Sequence, residues 1–281
     1  MKPPPFDYVR PDSLAEAVRL LAADEDAKAL AGGQSLLPMM NFRLARPSVL
    51  VDIGRLPELS ALRREDDVLV IGAGVRQRTA ETAQLVRETC PLLGRALRHI
   101  GHHQIRSRGT IGGSLAHADP AAELCAAALA LDAEVVVTGS SGRRTIPAAE
   151  LFVAPYQTSL SEEEILTEVR LPIDGARSGF AEISGRSGDF ALAGVAAVVR
   201  FEDGEVADAR LVGLGVGGTV QRLTDAEAVL NGAALDDRTI DSAAEASGSA
   251  TPPDDFHADP ATRLAALRAA VQRALKQVSN A

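Results

Sequence analysis

Two stretches of this sequence place paired glycines beside small hydroxyls: "LAGGQSLLPMM" at residues 30–40 and "RSRGTIGGSLAHADPAAEL" at residues 106–124. Glycine carries no Cβ, so its backbone N–H can approach a bulky anion closely. A diphosphate is such an anion. Rich in acceptors, it is well held by main-chain N–H groups, with hydroxyls such as Ser35 and Thr110 as further donors and no lysine required. Taken alone, Gly32-Gly33 or Gly112-Gly113 reads equally well as a tight turn or a close helix–strand contact. Two such clusters, each behind an apolar run and each edged by a hydroxyl, favour a ligand shared between them.

Other motifs carry less chemistry. "GLGVGG" at residues 213–218 satisfies the dinucleotide fingerprint G-x-G-x-x-G, but that fingerprint requires a helix to begin inside the motif. Here "TVQRL" follows, β-branched at once, and the next helix is expected near Thr224. His102 and His103 are adjacent, so their side chains diverge on either regular element, and no carboxylate–histidine spacing supports a metal. His117 reads as a loop histidine or as a hydrogen-bond partner of the ligand. Cys90 and Cys125 read as packing residues, since nothing near them in sequence activates a thiolate. We expect no metal site and no catalytic side chain.

These loops must be positioned by alternating helices and strands. "DSLAEAVRLLA" holds a Ser13-x-x-Glu16 capping box, with Leu14, Ala17, Val18 and Leu21 on one helical face. "AKALAGG", "SVLVDIG" and "DVLVIGAG" read as short buried strands closed by glycine. Between Thr79 and Ile100 the apolar spacing predicts helices broken at Pro91. A helix running into a strand follows in "AAELCAAALALDAEVVVTG", and "EILTEVRLP" is a further strand. The polar "IDGARSG" marks a domain boundary near residue 175. Beyond it "AGVAAVVRFEDG" and "ARLVGLGVGG" predict strands, and helices are expected around 224–231, 237–246 and 259–278. The fold class is α+β.

Composition narrows the function. With 281 residues, 46% of them hydrophobic, the chain has material for two domains. Lys+Arg 29 against Asp+Glu 38 gives a net charge of -9, which argues against nucleic acid as a partner. Two cysteines are too few for the four thiolates an iron–sulfur cluster usually takes, so any redox metal is expected on another chain. The opening "MKPPPFDYVR" lacks the order of a signal peptide, and no stretch approaches the roughly 20 apolar residues of a membrane span. A cytoplasmic location is therefore expected.

The two glycine motifs with their flanks, "AGGQSLLPMMNFRLARPSVLVDIGRLPEL" and "HIGHHQIRSRGTIGGSLAHADPAAEL", resemble the FAD-binding medium subunit of the molybdenum hydroxylases, the xanthine dehydrogenase and carbon monoxide dehydrogenase family. The likeness extends from "KPPPFDYVRP" through "GDFALAGVAAVV" to the helical end of the chain. It implies a vanillyl-alcohol-oxidase-type (PCMH) FAD-binding domain at 1–175, with subdomains of about 1–56 and 57–175. A C-terminal domain of a small antiparallel sheet with helices would occupy 176–281. The resemblance further implies that Ala31, Gly32, Gly33, Gln34, Ser35 and Leu36 wrap the FAD diphosphate from one side, and Thr110, Ile111, Gly112, Gly113 and Ser114 from the other. Ile100 and Leu166 fall where the family places apolar contacts to the flavin ring. Asp119 and Glu123 match acidic positions at the ribose and adenosine end, although Asp119 reads as well as a helix cap. Glu182 stands where some relatives carry a lysine near the flavin.

By the same resemblance, FAD is bound non-covalently, with Gln34 at a position where some relatives carry histidine. The chain would pass electrons from an iron–sulfur small subunit through FAD to an acceptor. Substrate hydroxylation would take place on a large subunit carrying the molybdenum cofactor, the three chains forming a heterotrimer able to dimerise. The alternative is a self-sufficient flavin-dependent oxidase of the same fold, which would need its own base at the flavin. The sequence does not show the complex's substrate, electron acceptor or stoichiometry.

Overall fold

The structure, a computed structural model, describes residues 2–280. Its first sheet is parallel: strands β1 (Asp7–Val9), β2 (Lys28–Leu30) and β3 (Val49–Asp52) lie in the order β1-β3-β2. Parallel neighbours need crossovers, here built on helices α1 (Leu14–Ala22) and α2 (Leu36–Asn41). Ser13 caps α1 by accepting from Glu16 N–H at 3.2 Å. The Glu16 carboxylate reaches back one residue further than a standard capping box, accepting from Asp12 N–H at 2.9 Å. Ala17, Val18 and Leu21 seat the helix on Val51 and Ile53.

The second sheet is antiparallel and five-stranded: β4 (Leu62–Glu65), β5 (Val68–Gly72), β6 (Glu134–Gly139), β7 (Gly142–Pro147) and β10 (Ile165–Pro172), in the order β4-β5-β10-β6-β7. Between β5 and β6 run helices α3 (Gln77–Thr82), α4 (Gln84–Thr89), α5 (Pro91–His99), α6 (His103–Arg106), α7 (Ile111–His117) and α8 (Glu123–Ala130). Pro91 opens α5, because proline fits a first helical turn and stops the preceding helix. After β7 come α9 (Ala148–Leu151) and a hairpin of β8 (Phe152–Ala154) and β9 (Gln157–Thr158).

The third sheet, β11 (Arg177–Ser184), β12 (Ala191–Glu202), β13 (Glu205–Leu214) and β14 (Gln221–Arg222), is antiparallel in chain order. It is covered on both faces. Ala196, Val198 and Val212 join the core under α5 and α8, whereas their neighbours Val195, Ala197 and Leu211 join the core under α10 (Thr224–Leu230), α11 (Asp237–Ala246) and α12 (Pro260–Ser279). Double-sided burial explains why "AGVAAVV" reads as an unbroken apolar run rather than an alternating one. At Gly179 an added Cβ would stand 2.9 Å from the Ala274 carbonyl carbon, so glycine lets α12 press onto β11.

Candidate cofactor site

The two glycine loops, about 80 residues apart in sequence, touch. A Cβ added to Gly32 would stand 2.5 Å from Arg108 O and 2.8 Å from Gly109 Cα, and one on Gly113 would stand 3.6 Å from Ala31 Cβ. Gly32 is thus dictated by the approach of the other loop. Gly33 has a second reason, a φ of +71° that side chains rarely adopt. Gly112 answers to packing: its Cβ would overlap the Ala73 methyl, so α7 could not sit at the end of β5. The turn-or-contact reading and the ligand reading are therefore compatible, with each glycine serving a different constraint.

The loops differ in what they leave available. N–H groups of Gly32, Gly33, Gln34 and Ser35 donate to no acceptor among the described residues. Gln34 braces this stretch, its Nε2 donating to Gly32 O at 3.1 Å. Ser35 is exposed, and its hydroxyl makes no cap bond to α2, which begins at Leu36. In the second loop four successive backbone donors, Ile111 to Ser114, are spent internally. Ile111 N–H donates to Val75 O (3.0 Å), Gly112 N–H to Ala73 O (2.9 Å) and Ser114 N–H to Thr110 O (3.2 Å). Gly113 N–H donates to Thr110 Oγ1 at 3.0 Å. What remains on this side is the N–H and hydroxyl proton of the buried Thr110, the half-buried Ser114 hydroxyl and the bare Cα of Gly113.

Ile100 and Leu166 are both buried, at 9% and 4% exposure, and belong to one apolar core. Leu166 borders an irregularity where the β10–β6 register shifts. Arg106 fixes the Ile100 turn by donating from Nη1 to Ile100 O (2.8 Å) and Gly101 O (3.1 Å) while its Nε meets Glu81 Oε2 at 3.0 Å. Asp119 accepts from Ala121 N–H at 2.9 Å in a turn ahead of α8, whose N-cap is Ala122, so it is not the helix cap the sequence also allowed. Burial pushes Glu123 up to about 8, and the neighbouring Glu182 and Asp119 carboxylates reinforce the shift. His117, packed 5.2 Å from the Tyr156 ring, is lowered by burial.

One residue beside the loops, Arg76, was not evident from the sequence, and the surroundings of another, Glu182, emerge only in the structure. Arg76 bridges the loops' supports, donating from Nη1 to Arg108 O at 2.5 Å and from Nη2 to Gly54 O at 3.1 Å. An isolated arginine after a strand gives no sign of this. Glu182 lies with its side chain 4% exposed, Oε1 3.4 Å from His99 Nδ1, and its buried Oε2 has no partner among the described residues. Only a departure from a related sequence points to it.

Gly213–Gly218 leaves β13 for a turn in which Gly215 N–H donates to Pro120 O at 2.9 Å, and the following helix, α10, starts at Thr224. No metal-holding group of histidine, cysteine and acidic residues occurs among the described residues. Cys90 is pushed up to about 12 by burial, and Cys125 is raised by the same cause, so both thiols stay protonated.

A row of unpaired N–H groups with free hydroxyls at Ser35 and Ser114 suits the diphosphate of a dinucleotide cofactor such as FAD. Comparison with known proteins agrees. Residues 4–174 match the family described as the FAD binding domain in molybdopterin dehydrogenase, and residues 178–278 match the CO dehydrogenase flavoprotein C-terminal domain. The chain belongs to the FAD-binding medium subunits of the molybdenum hydroxylases, with their PCMH-type fold. Among its relatives, the nicotine 6-hydroxylase medium subunit of Paenarthrobacter nicotinovorans is 46% identical, covering 88% of this chain and 87% of that one. Subunit alpha of the 6-hydroxypseudooxynicotine dehydrogenase complex from the same organism is 44% identical, covering 98% and 95%. The solved carbon monoxide dehydrogenase of Hydrogenophaga pseudoflava, in a form lacking the Mo-pyranopterin moiety, superposes with a TM-score of 0.96 at 39% identity and covers 100% of this chain and 99% of that chain.

Proposed function

We propose that this chain is the electron-transfer subunit of a molybdenum hydroxylase complex. In this reading 1–175 is the FAD-binding domain and 176–281 the C-terminal domain. An iron–sulfur small subunit delivers electrons, and a large molybdenum-cofactor subunit hydroxylates the substrate. The observation that carries the reading is the meeting of the two glycine loops with the Gly32–Ser35 N–H groups unspent.

The free N–H groups of Gly32 to Ser35 and the Ser35 hydroxyl hold the diphosphate from one side, while the Thr110 and Ser114 hydroxyls hold it from the other. Ala31, Ile111 and Leu36 supply the rigid flanks, and the missing side chains of Gly33, Gly112 and Gly113 let those flanks pack closely around the loops. Ile100 and Leu166 form an apolar floor that excludes water from the ring. Asp119 and Glu123 supply carboxyl groups for hydrogen bonds to the cofactor. When bound, FAD supplies a carrier that exchanges electrons one or two at a time. In this reading the large subunit, which hydroxylates the substrate, also selects it. Among the described residues no helix is long and apolar enough to cross a membrane, and we place the complex in the cytoplasm.

The test is reconstitution of the cofactor-free chain. FAD should bind at least about 100-fold more tightly than FMN, because the adenosine half and the second phosphate add charge-assisted contacts. Equal affinity for the two, or no flavin bound by a folded preparation, overturns the reading.

A further inference from the structure

The sequence "FRLARP" after α2 forms a small finger whose form the flavin site does not explain. Of the nine large apolar side chains exposed among the described residues, three fall within eight positions here: Leu37 (40% exposed), Phe42 (66%) and Leu44 (76%). Free exposure of a phenylalanine and two leucines is unfavourable, and clustering makes it worse. The finger is nonetheless tightly built. Phe42 N–H donates to Pro38 O at 3.0 Å, Arg43 N–H to Met40 O at 2.9 Å and Leu44 N–H to Met39 O at 2.9 Å, while Arg46 Nε donates to Arg43 O at 3.2 Å. Arg43 is held at a φ of 60°, a conformation that disfavours any residue with a Cβ. Hydrogen bonds thus maintain a strained turn that points apolar groups outward rather than letting it relax and cover them.

Charge adds the second observation. Arg43 and Arg46 are exposed, and neither guanidinium meets a carboxylate within ion-pair distance among the described residues. Two unpaired cations beside an apolar tip, on a chain of net charge -9, make a local patch of opposite sign to the molecule. Such a patch is complementary to an apolar socket rimmed by carboxylates. We propose that the Phe42–Arg46 finger is a preformed docking element that inserts Phe42 and Leu44 into an acid-rimmed apolar socket on a partner subunit of the complex, with Arg43 and Arg46 pairing to the rim. This rests on the subunit reading above. Because the finger is already rigid, docking forgoes the ordering cost of a flexible loop, and Phe42 is its aromatic anchor.

The experiment assembles the complex from the full chain and its partner subunits and measures their association by sedimentation and surface plasmon resonance. The double variant Phe42→Ser/Leu44→Ser should keep its FAD and its melting transition, since both side chains lie outside the core, yet bind the partners about 30-fold or more weakly. Arg43→Glu leaves the apolar tip intact and serves if the double variant misfolds. It should slow association and reduce the dependence of the rate on salt. A wild-type chain that assembles while both variants assemble equally well overturns this proposal alone. A wild-type chain that captures no partner overturns it together with the subunit reading, and concentration-dependent self-association abolished by the variants would show that a second copy is the occupant and overturn the assignment to a partner.

Discussion

Ser35 and Gly32 sit three residues apart in one loop, yet the structure gives them different duties. Gly32 is needed by the neighbouring loop, whereas the Ser35 hydroxyl bonds to nothing among the described residues. Ser35→Ala should therefore lower FAD affinity by about 10- to 100-fold, the worth of a hydrogen bond to a charged group, while the melting temperature of the cofactor-free chain stays within a degree or so. Calorimetric titration and a thermal melt check both halves. Glu123 acts through pH. It ionises near the ordinary 4.5 in the unfolded chain and at about 8 in the folded one, so the folded state holds a proton that the unfolded state releases between those values. Stability of the cofactor-free chain should fall as pH rises through that window and level off above it. Urea denaturation from about pH 5 to about pH 9 should show this slope in the wild type and a clearly reduced slope in Glu123→Gln. Equal slopes would mean that Glu123 is not held protonated.

At the scale of elements, the site depends on how closely α7 is drawn onto the end of β5. The approach is set by Gly112 against Ala73 and is tied by Gly112 N–H to Ala73 O and Ile111 N–H to Val75 O. Gly112→Ala should destabilise the cofactor-free chain by about 1–3 kcal/mol, as overpacking does elsewhere. Combining it with Ala73→Gly should recover part of that loss, since the Ala73 methyl is the nearest of the obstructing atoms. A double-variant cycle in urea measures the coupling, and strict additivity of the two changes would contradict the contact. The same element carries Thr110 as its cap, so FAD binding should weaken in parallel with the loss of stability.

For the whole molecule, the C-terminal sheet is anchored to the flavin-binding part by buried charge. Arg210, 7% exposed on β13, meets Asp132 and, at 3.2 Å, Asp174, and Arg95 donates to Ser178 O. Together with the Gly215–Pro120 bond these contacts place the third sheet against the end of the second glycine loop. In rapid mixing, the assembled complex should show substrate bleaching the flavin and the clusters together. The isolated chain should stay oxidised with that substrate, and flavin reduction at the catalytic rate without partners would revive the single-chain oxidase.

The sequence by itself determined the class of elements and most of their positions. Capping, proline and glycine signals act within a few residues, so α1, α5, α8, α10 and the strands around residues 50, 70 and 170 were legible from pattern alone. The acidic charge and the scarcity of cysteine likewise spoke directly to partners and metals. Only the tertiary structure decided what each glycine is for, because Gly32 answers to Arg108 and Gly109, Gly112 to Ala73 and Gly179 to Ala274, all residues distant in sequence. It also decided that the first loop offers free backbone donors while the second spends its own on Val75, Ala73 and Thr110. Arg76 and the Glu123–Glu182 pair became visible only once the chain had brought them together. Local physics is written in neighbouring residues, whereas a donor's availability depends on every acceptor the fold places near it.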